Sequence, residues 1–265
     1  MESRDHGVVV FDMDDTLVDR ERVFVAAQLR MLKTLRSLGA KRIRVPSSIS
    51  TLREIELALI RLHKGAHIYD YKELAQALWL YFTDKMNLKQ AAERAYYENK
   101  VRGIRFEPAV IAARLHDQIL FNKIPPLLDS ARKVVKKLRR IYLLILFTSG
   151  SKDFQKKIIQ FYRFDEDFDA VIIVNAKNAA AFRKLRKNAI DLSKRKAGKP
   201  PARLVMVGDR ISQDILPARD AGFETVWVPG PYYPGKRDQG EPSHTIRKLE
   251  DVLGVLNTQV TKSTR

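Results

Sequence analysis

Residues 8–16 read Val8-Val9-Val10-Phe11-Asp12-Met13-Asp14-Asp15-Thr16, a short apolar run that is followed at once by three acids and a hydroxyl. The apolar run is continuous and rich in β-branched residues, which is typical of a strand buried on both faces of a parallel sheet. Ligands of such sheets bind beyond the carboxyl ends of the strands. The stretch therefore predicts a parallel strand with a polar site at its carboxyl end.

The remainder of the sheet is predicted from the second half of the chain. Apolar strands are expected at residues 141–147, 170–174, 204–207 and 225–228, and amphipathic helical patterns lie between them. Alternating strands and helices with short connections indicate a parallel, doubly wound sheet. We therefore predict an α/β fold for this part of the chain.

A helical insertion separates the first predicted strand from the second. Residues 50–122 show only helical periodicity, and the rigid segment Ile124-Pro125-Pro126-Leu127 marks the return to the sheet. The sequence thus predicts two domains. An α/β core takes residues 1–18 and 124–265, and a helical domain takes residues 19–123.

The composition excludes several classes of protein. The 265 residues contain no cysteine, which rules out a disulfide scaffold, thiolate metal sites and a cysteine nucleophile. The longest apolar runs are far shorter than the ~20 residues of a membrane span. Residues 1–7 are polar and lack the apolar region of a signal peptide. A cytoplasmic protein without membrane contact is the expectation.

The charge is strongly positive, with 49 Lys and Arg against 31 Asp and Glu and a net charge of +18. A nucleic-acid partner is one explanation. The other is a solvated surface in a protein from a charge-rich proteome. The segment 183–203, with nine basic residues against Asp191 alone, keeps the nucleic-acid alternative open without making it the favoured one.

Acids, hydroxyls and one lysine follow the carboxyl ends of the predicted strands. Converging carboxylates repel one another unless a cation is present, and hard oxygen ligands suit Mg²⁺. A divalent ion beside a hydroxyl and an ammonium group is suited to binding a phosphoryl group. These residues are Asp12, Asp14, Asp15 and Thr16 after the first strand, Thr148, Ser149 and Gly150 after the second, Lys177 after the third, and Gly208, Asp209 and Asp214 after the fourth.

Three of these strand ends resemble motifs of the haloacid dehalogenase superfamily of phosphohydrolases. Residues 11–18 (FDMDDTLV) resemble its first motif, and residues 144–150 (LILFTSG) resemble its second. Residues 205–222, with VMVGD, Asp214-Ile215 and ARDAG, resemble its fourth. The resemblance implies a Rossmann-like α/β core. It also implies that residues 19–123 form the helical cap inserted after the first motif, as in phosphoglycolate phosphatases.

The resemblance implies a role for each residue that contacts the phosphoryl group. Asp12 would be the nucleophile that forms an aspartyl-phosphate, and Asp14 the general acid and then the general base. Thr148 and Ser149 would hold the phosphoryl oxygens, and Lys177 would neutralise their charge. The dehalogenase branch lacks a carboxylate at the position of Asp14 and the pump ATPases carry lysine there. Asp14 therefore favours a phosphatase or a phosphomutase.

The resemblance also implies a Mg²⁺ site, and it leaves open which of two lysines contacts the phosphoryl group. Lys177 follows the third strand directly, whereas Lys184 lies nearer the family's usual distance from the fourth motif; Lys177 is favoured. The metal ligands would be Asp12, the main-chain carbonyl of Asp14, and Asp209, with Thr16, Gly208 and Asp214 in support.

The expected function is a Mg²⁺-dependent phosphatase that hydrolyses a small phosphorylated metabolite through an aspartyl-phosphate. Residues 19–125 carry 20 basic residues against 11 acidic ones, which favours an anionic substrate. Two alternatives remain. One is a phosphomutase with the same acids, and the other is a nucleic-acid-binding protein with a basic surface.

Overall fold

The computed structural model describes residues 7–63, 70–230 and 241–257. The chain forms two compact units. One unit consists of Met1–Glu21 together with Pro125–Arg265, and the other of Arg22–Ile124. The assignment of these parts as catalytic core and cap stays a prediction.

All helices and strands among the described residues of the unit Arg22–Ile124 are α-helices. Apolar residues at helical spacing form its core, as in one helix where Leu52, Ile55 and Leu59 are fully buried. Residue Asn87 closes the start of one helix with a capping box to Gln90. The helices are α1 (Arg20–Ser37, which begins at the end of the first unit), α2 (Ile49–Leu62), α3 (Tyr71–Thr83), α4 (Leu88–Arg102) and α5 (Glu107–Asn122).

The other unit is built on a six-stranded parallel sheet with the order β3-β2-β1-β4-β5-β6. The strands are β1 (Val8–Phe11), β2 (Leu143–Ser149), β3 (Ala170–Val174), β4 (Leu204–Gly208), β5 (Glu224–Trp227) and β6 (His244–Thr245). The predicted Rossmann-like α/β fold is thereby confirmed. The two-residue strand β6 was not predicted.

Helices connect these strands and cover the sheet. They are α6 (Ala131–Leu138), α7 (Lys152–Tyr162), α8 (Phe164–Asp167), α9 (Ala179–Ala197), α10 (Leu216–Asp220) and α11 (Val252–Asn257), with a 3₁₀ turn at Leu249–Asp251. On one face of the sheet, Val8 and Val10 of β1 pack in the same cluster as Phe182 and Leu185 of α9. Burying such a side chain contributes about 1.5–3 kcal/mol. The continuous apolar run of β1 is therefore explained by helices on the sheet faces.

The second strand lies two residues further along the chain than predicted. Thr148 and Ser149, expected just after the strand, are its last residues and pair with Ile173 and Val174 of β3. Pairing with β3 thus extends β2 through both hydroxyl residues. Their positions are consequently fixed by the ladder of the sheet rather than by a loop.

The chain leaves β4 through a π-helix at Ile211–Ile215, which leads directly into α10. The widened turn is closed by the backbone N–H of Ile215, which donates at 3.3 Å to the carbonyl oxygen of Arg210, five residues earlier. Single π-turns of this kind are frequent at functional sites. None of the described helices combines the length and the apolar character that crossing a membrane requires.

Candidate active site

The acids of the first motif lie on a rigid turn after β1. The backbone N–H of Asp12 donates to Val207 of β4 at 2.9 Å, so the residue continues the ladder of the sheet. Asp15 then takes a left-handed conformation, with φ of 60°, which Asp tolerates better than most residues. Its N–H donates to the carbonyl oxygen of Val18 at 2.7 Å and closes the turn. The positions of Asp12 and Asp14 are thus set by backbone hydrogen bonds.

A buried lysine joins two of the acids. The Nζ of Lys177 donates to Oδ1 of Asp12 and, at 2.6 Å, to Oδ1 of Asp214. The side chain of Lys177 is only 3% exposed. Although burial lowers the pKa of Lys177, the charges of Asp12 and Asp214 raise it above its ordinary value. The lysine is therefore held in its charged form between two carboxylates.

Gly208 lets Asp214 approach the end of β4. A Cβ added at Gly208 would lie 2.5 Å from the Cβ of Asp214, well inside van der Waals contact. Oδ2 of Asp214 accepts from the backbone N–H of Arg210 at 3.0 Å, which fixes the other end of its carboxylate. The absent side chain and the π-turn together bring Asp214 against the strand.

The neighbouring Asp209 is buried and incompletely bonded. Its side chain is 2% exposed, and its Oδ1 has no hydrogen-bond partner among the described residues. Its backbone carbonyl accepts from the indole N–H of Trp227 at 2.8 Å, which holds the main chain in place. An ionised carboxylate oxygen without a partner in such a place is costly unless a cation binds it.

The buried carboxylates fit a divalent cation. Asp12, Asp209 and Asp214 each offer one oxygen, and these oxygens all lie within 4.8 Å of one another. Burial raises the pKa of Asp12 to about 7, against the effect of Lys177. Burial and then the charges of Asp12 and Asp214 raise the pKa of Asp209 to about 9. With all three ionised, Lys177 and the more distant Arg210, whose Nε lies 3.9 Å from Oδ2 of Asp209, leave negative charge in excess, which suits a hard divalent ion such as Mg²⁺.

The hydroxyl residues predicted for the site differ in their contacts. Oγ1 of Thr16 donates to Oδ2 of Asp12 at 3.3 Å. Thr148 is 1% exposed, and its Oγ1 is buried without a hydrogen-bond partner among the described residues. Ser149 is partly exposed at the end of β2. The unused hydroxyl of Thr148, near the end of the strand that pairs with β1, is therefore available to bind an oxygen that enters the site.

The two candidate lysines are in different environments. Lys177 contacts Asp12 and Asp214, whereas Lys184 is exposed on α9. The structure therefore brings Lys177 to the acids and does not bury Lys184. Which lysine acts in a reaction stays a prediction.

One residue of the site has no counterpart among the sequence-based candidates. Gln155 of α7 is 1% exposed, and its Nε2 donates to Oδ2 of Asp14 at 2.9 Å. The signal for it was its place on the apolar stripe of the helix, beside Phe154, Ile158 and Ile159, which are also buried. A polar residue on a buried stripe requires a hydrogen-bond partner, so this pattern could have singled out Gln155.

The fold and the site define an α/β protein whose carboxylates and one lysine converge at the carboxyl ends of parallel strands. The model of the haloacid dehalogenase-like hydrolases matches residues 6–222. The chain therefore belongs to the haloacid dehalogenase-like hydrolase family. This match confirms the predicted superfamily. Together with the phosphatase relatives described next, it also confirms the predicted enzyme class, a phosphoric monoester hydrolase.

Similar proteins cover nearly the whole chain. The glyceraldehyde 3-phosphate phosphatase of Pyrococcus abyssi is 26% identical over an alignment of 264 positions, which covers 95% of this chain and 94% of that one. The HAD-hydrolase YfnB of Bacillus subtilis, crystallised with magnesium, superposes with a TM-score of 0.62 at 18% identity over 95% of this chain and 99% of that one. A predicted phosphoglycolate phosphatase of Haemophilus somnus gives a TM-score of 0.57 at 15% identity, over 96% and 99%.

The close approach at Gly208 generates a testable prediction. Gly208→Ala forces Asp214 or β4 to move, because the new Cβ would lie 2.5 Å from Asp214. We expect the free energy of unfolding to fall by about 1–3 kcal/mol, as for other overpacked sites. Chemical denaturation followed by circular dichroism measures this loss.

Gly254→Ala in α11 is the matched control, because its added Cβ meets no described atom within 4 Å. It should leave the free energy of unfolding unchanged or raise it slightly, since alanine favours a helix. Equal stability of the two variants would contradict the assigned role of Gly208.

Proposed function

We propose that this enzyme is a Mg²⁺-dependent phosphatase that hydrolyses a small phosphorylated metabolite through an aspartyl-phosphate on Asp12. The observation that carries the proposal is the buried cluster of Asp12, Lys177, Asp214 and Asp209. The unused hydroxyl of Thr148, on the strand that pairs with β1, adds a hydrogen-bond donor. A nucleophile, fixed positive charge and a free donor are the groups that phosphoryl transfer requires.

In the first step, a carboxylate oxygen of Asp12 forms a bond to phosphorus while the bond from phosphorus to the ester oxygen breaks. The protonated carboxyl group of Asp14 gives its proton to the departing oxygen, so an alcohol leaves rather than an alkoxide. Lys177 balances part of the charge on the transferred group, and Thr148 donates to one of its oxygens. Both acids come from the first motif, whose rigid turn holds Asp12 and Asp14 two residues apart.

In the second step, Asp14 acts as the base. Its carboxylate takes a proton from water as the water oxygen bonds to phosphorus, and the bond from phosphorus to Asp12 breaks. Inorganic phosphate is released, Asp12 is again a carboxylate and Asp14 again carries its proton. A phosphomutase would exclude this water, so release of inorganic phosphate separates the proposed function from that alternative.

Asp12, Asp209 and the main-chain carbonyl of Asp14 are the groups that we propose as ligands of Mg²⁺, with Asp214 in support. The bound ion would supply the positive charge that screens a phosphate dianion from the carboxylate of Asp12. The Oδ1 of Asp209, which has no partner among the described residues, and the excess negative charge of the three clustered carboxylates support this assignment.

The substrate proposal is a small phosphorylated metabolite, with triose phosphates first among the compounds to be tested. It is supported by two curated relatives, the glyceraldehyde 3-phosphate phosphatases of two Pyrococcus species, each 26% identical over 95% of this chain. The basic surplus of residues 19–125 agrees with an anionic compound.

The decisive test is the release of inorganic phosphate from an aryl phosphate and from a panel of phosphorylated metabolites. We expect release with Mg²⁺, none with EDTA, and none from Asp12→Asn, because an amide cannot act as the nucleophile. Asp191→Asn, which changes an exposed acid of α9 in the same way, should keep full activity. Release that persists in folded Asp12→Asn, or without any metal, would overturn the proposal.

The two lysines give a second test. Lys177→Gln should lower kcat by about 10²–10³, the usual loss when one group that stabilises the transition-state charge is removed. Lys184→Gln should leave kcat unchanged because Lys184 is exposed. Near-ultraviolet circular dichroism verifies that both variants fold. Equal activity of the two variants would remove Lys177 from the mechanism.

Metal binding can be measured without the reaction. Mg²⁺ should raise the melting temperature, because a ligand at 100 times its Kd adds about 2.7 kcal/mol to the free energy of unfolding. Asp209→Asn should shrink this rise, although without metal it should melt no lower than the parent protein, since one repelling charge is gone. Asp191→Asn again serves as the control. The same Mg²⁺ effect in Asp209→Asn would exclude Asp209 as a ligand.

A further inference from the structure

Gln155 is a buried polar side chain with both hydrogens of its amide nitrogen in use. Nε2 donates to Oδ2 of Asp14 at 2.9 Å and to the carbonyl oxygen of Ser149 at 3.1 Å. Both acceptors are oxygens that carry no hydrogen when Asp14 is ionised, so the amide must turn its nitrogen toward them. The hydrogen bond to the carbonyl oxygen of Ser149 therefore fixes the amide of Gln155 with its nitrogen toward Asp14.

Gly150 provides the space for this amide. The residue has a φ of +134°, which side chains rarely adopt, and a Cβ there would lie 3.1 Å from Nε2 of Gln155. The glycine of the second motif therefore serves two purposes: it permits the backbone conformation after β2, and it leaves room for the amide that reaches Asp14.

The contacts of Asp14 are divided unequally between its two oxygens. Oδ2 accepts from Gln155 and lies 3.8 Å from Nη1 of Arg20. Oδ1 is buried and has no partner among the described residues. An oxygen that already accepts from donors is a poor place for a proton. When Asp14 carries a proton, these donors therefore direct it to Oδ1.

We propose that Gln155 is a positioning residue, which holds Oδ2 of Asp14 so that Oδ1 carries the proton given to the leaving group. The inference rests on the proposed function, in which Asp14 is the general acid. Gln155 touches neither the phosphoryl group nor the metal in this scheme. It acts only through the orientation of the carboxyl group of Asp14.

A leaving-group comparison tests this role. Gln155→Met keeps the length and apolar packing of the side chain but removes the donor. A dinitrophenyl phosphate releases a stable phenolate and needs no proton, whereas an alkyl phosphate must receive one. We expect kcat/KM for the alkyl phosphate to fall about 10- to 100-fold, part of what a general acid contributes. The kcat/KM for the dinitrophenyl phosphate should stay within about twofold, because kcat/KM reports only the steps up to departure of the leaving group, and this leaving group needs no proton.

Gln160→Leu is the matched control, because Gln160 is an exposed residue of the same helix. It should behave as the parent protein on both substrates. Gln155→Leu, which removes the donor with an uncharged side chain of different shape, is the second variant, and it should show the same selective loss. It also keeps the test decisive if Gln155→Met does not fold.

Three other outcomes would contradict the proposal, and each has a different meaning. An equal loss on both substrates would show that Gln155 only supports the fold of the site. An unchanged rate on both would show that Asp14 needs no partner. A parent protein that releases no phosphate from either substrate would instead overturn the proposed function, and this inference with it.

Discussion

The rest of the site depends on one electrostatic constraint, the burial of three carboxylates around a single ammonium group. Asp12, Asp209 and Asp214 are each 5% exposed or less, and burial raises the pKa of Asp12 and Asp209 well above the ordinary value. Lys177 balances only one of the charges. Such a cluster costs folding free energy unless further positive charge is present. A bound divalent ion, the proposed cofactor, would supply this positive charge.

The parallel sheet is what makes this crowding possible. The central strand β1 pairs with β2 on one side and β4 on the other, so that Phe11 lies opposite both Leu146 and Val207. All three strands consequently end at one edge, and the residues after each end are brought together without any long-range loop. Gly208 and the π-turn then supply the final approach that places Asp214 beside Lys177.

The fold, and the position of most polar residues at the ends of the strands, could be predicted from the sequence. A strand buried on both faces, such as Val8–Phe11, is recognisable from its apolar run, and the polar residue that follows it must lie at the sheet edge. The choice between Lys177 and Lys184 was harder, since it depends on where β3 stops and α9 begins. Gln155 could not be paired with Asp14 beforehand, because their contact joins residues that are 141 positions apart.

The two acids of the first motif lie two residues apart in different environments, and the difference suits their proposed roles. Asp12 is buried and bound by Lys177 and Thr16, so its carboxylate stays in one place, as a nucleophile requires. Among the described residues, the carboxylate of Asp14 is held at Oδ2 by Gln155, and its Oδ1 has no partner. A group that must give a proton to an alcohol and take one from water needs a fixed orientation and an oxygen that is not already engaged. The contact with Gln155 provides the orientation and leaves Oδ1 unengaged.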